Sequence, residues 1–105
     1  MDDKLKERIA FELENRFYYI GYPANVPEFL WKDGEGKYRN MHTMGLDHLK
    51  ASIRRIQKDR KAFWEMLELY KGDPIGPELV KALLPLVDEK LKQLQEVFKE
   101  KVEED

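Results

Sequence analysis

The chain of 105 residues contains no cysteine. That absence removes disulfides, zinc–thiolate sites, iron–sulfur ligation and thiol nucleophiles together, and it fits a reducing compartment. Histidine is scarce: His42 and His48 stand six residues apart, without the i, i+4 spacing of a helical zinc pair, so no metal site and no cofactor are expected. No apolar run approaches the roughly 20 residues of a membrane span, and the charged opening stretch has no hydrophobic core of a secretory leader. A soluble, cytoplasmic protein without membrane contact is therefore expected. Neither sign of charge prevails, since 19 Lys and Arg face 21 Asp and Glu for a net charge of -2. The field of the whole molecule thus does not draw polyanions, and any such preference must come from a local patch. Catalytic constellations are missing too. Glu12, Glu14, Glu65 and Glu68 form carboxylate pairs on paper only, and glutamates in so charged a chain are expected to face solvent. We therefore expect no enzyme.

What the chain does contain is helical periodicity. The length is near the commonest size of one domain, and 42% apolar residues suffice for a single core. Leu5, Ile9, Leu13 and Phe17 recur at steps of four and predict an amphipathic helix over about 3–19. Gly21, Pro23 and Pro27 then mark a loop. Two short β-prone runs around Asp33–Gly34–Glu35–Gly36 predict a hairpin within 21–44. From Leu46 the apolar positions Leu49, Ile53, Ile56, Phe63, Leu67 and Tyr70 alternate in steps of three and four, predicting a long helix over about 46–71 capped by Gly45 and stopped by Gly72. A third helix is predicted over about 77–102, from Leu83, Val87, Leu91, Leu94, Phe98 and Val102, with a kink or break at Pro85. The short connector makes the two long helices antiparallel neighbours. The predicted class is mainly α: an N-terminal helix, a short β-hairpin-like segment and a long antiparallel helical hairpin. Helices this long in so small a chain also suggest a homo-oligomer.

Residues 31–53 carry a pattern of Trp31, Gly34, Met44, His48, Leu49 and Ile53. It resembles a segment of small bacteriophage and prophage proteins of uncharacterised function. The chain departs from that pattern at Gly45, where those proteins tend to carry a polar cap, and at Ala51, where they often carry asparagine. The resemblance implies a viral accessory protein that binds and blocks a host component, acting in the host cytoplasm in a counter-defence or host-takeover role.

Three features are candidates for contact with a partner. Lys50, Arg54, Lys58 and Lys61 fall on one side of the second helix, and residues 48–61 carry six basic side chains against Asp59 alone. Such a stripe suits an anionic nucleotide or nucleic acid, with Trp31, Tyr38 and Arg39 as stacking partners. It also suits a solvated helix face with Lys61 paired to Glu65. Arg60 occupies a seam position where an apolar residue is expected; it either pairs with Asp88 across the helical hairpin, snorkels to water, or meets a ligand's anion. Finally, Tyr18, Tyr19, Tyr22 and Trp31 exceed what a small core can hold and suggest an aromatic binding surface for a host protein. His48, three residues into the helix, is expected to serve as a cap.

Overall fold

The computed structural model describes residues 3–104 and is mainly helical. Helix α1 spans Asp3–Asn15, strands β1 (Leu30–Lys32) and β2 (Tyr38–Asn40) form a hairpin, a single 3₁₀ turn covers Met41–Thr43, and helices α2 (Leu46–Leu69) and α3 (Ile75–Glu104) form the long antiparallel pair. Thirty residues of α3, at about 1.5 Å each, nearly span the 49 Å length of the molecule. Residues 3–44 run beside α3 in the same direction. Arg8 meets Asp73, Asn25 meets Leu86, Phe29 meets Gln93, and His42 meets Glu100. Helix α2 then returns along the other side.

α1 ends a turn earlier than its periodicity predicts. The amides of Arg16 and Phe17 both donate to the Glu12 carbonyl, which closes the helix. A continued helix would spread the aromatic run 17–19 around its circumference; leaving it lets Phe17, Tyr19 and Ile20 all turn inward and become buried. An aromatic column results. Phe63 meets Phe17 edge-on at 5.4 Å, Phe17 meets Tyr19 at 6.3 Å, and Tyr19 stacks on Trp31 at 4.7 Å with 15° between the planes.

The hairpin forms where it is predicted, with Trp31 opposite Arg39. Its turn is built by Asp33, whose carboxylate accepts the amides of Glu35 and Lys37, and by Gly36 at φ 86°, a conformation glycine adopts without penalty. α3 begins two residues before Pro77, and it runs through Pro85 as one helix rather than breaking. Position 85 is exposed, so the proline ring burdens only the solvent side.

α3 serves two neighbours, which explains its wide buried face. Leu79, Leu83, Leu84, Val87, Leu94 and Val97 are buried between α2 and the 3–44 segment. At the centre of that face lies Lys90, fully buried. Its ammonium donates to the carbonyl oxygens of Val26, Pro27 and Leu30 and to Gln93 Oε1, at 2.9 to 3.2 Å. This cage stitches the 26–30 loop to α3. Phe29, held at φ 63°, lies within it, its amide donating to Gln93 Oε1 and its carbonyl accepting from Met41.

Candidate functional site

The sequence candidates separate once placed in the fold. Trp31 is 4% exposed and Tyr19 fully buried, so neither presents a binding surface. Burial of their mutual stack outweighs anything a solvated ring could contribute. Tyr22 is half-buried against the same core. Tyr38 is exposed, and Arg39 turns back to Asp33 at 3.5 Å. No hydrogen bond, ion pair or ring contact among the described residues joins Tyr38 or Arg39 to the basic side of α2. Burial thus takes Trp31 and Tyr19 out of the expected aromatic surface and stacking site, while Tyr38 stays exposed. Within Trp31–Ile53, Trp31, Met44 and Leu49 are core residues, while His48 is exposed and makes no capping hydrogen bond among the described residues. Gly45 is the N-cap of α2, without a side-chain cap bond.

Arg60 meets Asp88, its Nε donating to Oδ1 at 2.9 Å, with both side chains about half exposed. The pair sits at the mouth of the α2–α3 furrow rather than inside the core. Lys50, Arg54, Lys58 and Lys61 all face solvent. Lys50 lies over the Phe98 ring, Lys61 meets Glu65 at 4.0 Å, and Arg54 and Lys58 have no acidic partner among the described residues.

Three of the titratable groups with displaced pKa values lie inward instead. Glu12, read from sequence as a surface residue, is 1% exposed; burial raises its carboxyl, although Arg16 Nη1 donates to both its oxygens at 3.1 and 3.0 Å. Asp59 accepts from Tyr19 Oη at 2.9 Å and Arg55 Nε at 3.0 Å, and burial with that neighbouring carboxylate holds the Tyr19 phenol well above its ordinary value. Burial pushes Lys90 down to about 8. Tyr19 and Lys90 line none of the surface grooves and Glu12, beside a shallow cavity between α1 and α2, is held by Arg16, so all three are engaged by partners within the fold. The described residues bring together no group of three His, Asp or Glu suited to a metal ion.

The open surface lies at the α2–α3 turn. There a groove of about 690 Å³ is lined by Trp64, Leu67, Tyr70, Pro74, Pro77 and Val80, with Arg8, Lys71, Asp73 and Lys81 among its charged residues. Trp64 is 43% and Tyr70 64% exposed. Tyr70, read as a seam residue, falls at the C-cap and points away from the core. Leu69 and Phe11 are exposed nearby in the chain and on α1. The groove floor is fixed by the turn. Asp73 accepts the Ile75 amide and the Arg8 guanidinium, which hold its carboxyl below the usual range, and Gly72 at φ 102° turns the chain. Gly76 lets Leu67 approach to 3.5 Å of where a side chain would begin. A second groove, of about 620 Å³, continues from Trp64 along the furrow past Arg60, Lys61 and Asp88 to Gln57 and Gln95. Sequence reasoning missed Trp64 because it lies beside the apolar stripe, not in it. The signal was its bulk: an indole off the seam of a long helix has nowhere to be buried by the chain itself.

Comparison with protein-family models, with curated proteins and with solved structures finds no match. No helix among the described residues is long and apolar enough to cross a membrane.

Proposed function

We propose that this protein is a non-enzymatic accessory protein of phage type that binds and blocks a host protein through the groove at its helical turn. The observation that carries the reading is the exposure of Trp64 and Tyr70 on the lining of one apolar groove. Aromatic residues concentrated on open surface are enriched at the cores of protein interfaces, and a monomer gains nothing by leaving them in water. The resemblance of the Trp31–Ile53 segment to phage proteins supports the setting but not the site, since most of its residues pack inside. The test is affinity capture from bacterial cells with wild-type bait and with Trp64→Ala. The reading expects a stoichiometric partner that the variant loses while its melting temperature stays unchanged. A partner retained in full by the variant contradicts it.

A second reading has its own observation: Arg54 and Lys58 face solvent with no ion-pair partner among the described residues. In that reading α2 binds the phosphates of a nucleotide or nucleic acid. Affinity would then fall steeply with salt, and the double variant Arg54→Glu/Lys58→Glu would abolish it. Binding that ignores salt, or none at all to single-stranded DNA, removes this alternative.

A further inference from the structure

We propose that the two grooves together form one docking site for an acidic amphipathic helix of the partner protein. This rests on the protein-binding reading above and specifies the chemistry of its partner. Trp64 lines both grooves, so they adjoin at its indole and together follow α2 from Tyr70 to Gln57 as one furrow in this proposal. Along α2 that stretch rises about 20 Å, the length of a helix of about 14 residues. The turn half is apolar, lined by Trp64, Leu67, Tyr70, Pro74, Pro77 and Val80, the kind of floor that helix-in-groove recognition uses for anchors at i, i+3 and i+4.

Charge then selects the occupant. Five cations and only two carboxylates line the furrow, on a chain whose net charge is -2. Both carboxylates are already engaged, Asp73 by Arg8 and Asp88 by Arg60. Lys81 has no ion-pair partner among the described residues, while Lys61 and Lys71 reach Glu65 and Glu68 only at 4.0 and 3.6 Å, in exposed pairs of little strength. Three cations therefore remain for an incoming carboxylate. The helix dipoles do not decide the matter, because the C-terminus of α2 and the N-terminus of α3 meet at the turn and offset each other. A second copy of the chain is a poor occupant: a two-fold contact would set the same basic rim against itself. Nucleic acid is disfavoured by the apolar floor, and its phosphates would find freer cations on the outer face of α2.

The experiment titrates the ¹⁵N-labelled full-length chain with two synthetic amphipathic peptides of about 16 residues, identical in their Leu and Phe anchors and carrying Glu or Lys at every polar position. The Trp64 indole resonance reports occupancy in the wild type and in Lys81→Glu, and the backbone amides of the groove residues Leu67, Gly76 and Val80 report it in every variant. The acidic peptide is expected to shift the indole resonance, to bind about tenfold more weakly to Lys81→Glu and not at all to Trp64→Ala. Equal binding of the basic peptide overturns the charge assignment and leaves the protein-binding reading standing. No shift with either peptide overturns the helix site, and if the capture experiment also fails, the broader reading falls with it. Two further results would reassign the furrow and so overturn the proposal: movement of the same resonance with oligothymidylate alone, or with protein concentration alone.

Discussion

A lysine at the centre of a small domain is tolerated only if every proton finds an acceptor. Lys90 has four oxygens within reach and no carboxylate among them, so its charge is held by dipoles alone. Replacing it with methionine preserves volume but orphans the carbonyls of the 26–30 loop. Lys90→Met is expected to lower stability by about 3 kcal/mol, read by urea unfolding at pH 7. The pH dependence has a definite sign. With a folded pKa of about 8, Lys90 has released its proton over a range where the unfolded chain, near 10.4, still holds it. Stability therefore rises with pH between about 8 and 10, by at most on the order of 1 kcal/mol per unit, and this rise is absent in Lys90→Met. Tyr19, raised by burial, acts with the opposite sign above about pH 10 and sets the upper limit of the measurement. Gly21 is constrained by space: a side chain there would begin 2.5 Å from the Ala24 carbonyl oxygen. Gly21→Ala is expected to cost about 1–3 kcal/mol in the same assay, because backbone must move to admit it. Lys90 was visible in the sequence by the reasoning applied to Arg60. It falls three residues after Val87 and four before Leu94, squarely in the third helix's apolar stripe, whereas Glu12 gave no such signal because its neighbours on α1 are mixed.

The two long helices were legible because their apolar spacing is sustained, and the hairpin because aspartate and glycine specify its turn. What periodicity could not decide was where α1 gives way, since Phe17 continues the stripe and only burial of Tyr19 and Ile20 breaks it. Pro85 illustrates the same limit. Proline in a helix interior costs about 3 kcal/mol against alanine, and α3 carries it on an exposed position without interruption. Pro85→Ala is expected to stabilise the fold by about 1–3 kcal/mol, measured as a rise in the urea midpoint. An unchanged or lowered midpoint would mean that the furrow depends on a local bend there. The Arg60–Asp88 pair is a register mark rather than a source of stability. Being half exposed, it is expected to contribute under about 1 kcal/mol, so Arg60→Leu should unfold within that margin of the wild type.

At the scale of the molecule, the 3–44 segment lies along α3 from the turn, where Arg8 meets Asp73, to the far end, where His42 meets Glu100, and leaves the furrow past Trp64 open. The sequence showed the charges of α2 but not their division into an outer face and a furrow, since that depends on which side α3 occupies. It also placed the aromatic surface at Trp31, when the fold exposes Trp64. Wild-type protein, Trp64→Ala and Arg54→Glu/Lys58→Glu, each captured from bacterial cells and examined intact by native mass spectrometry, provide the most direct test. A heterocomplex of fixed stoichiometry is expected with the wild type and the double variant, and its loss with Trp64→Ala. A complex that survives Trp64→Ala and disappears with the double variant would contradict the groove reading and place recognition on the outer face of α2.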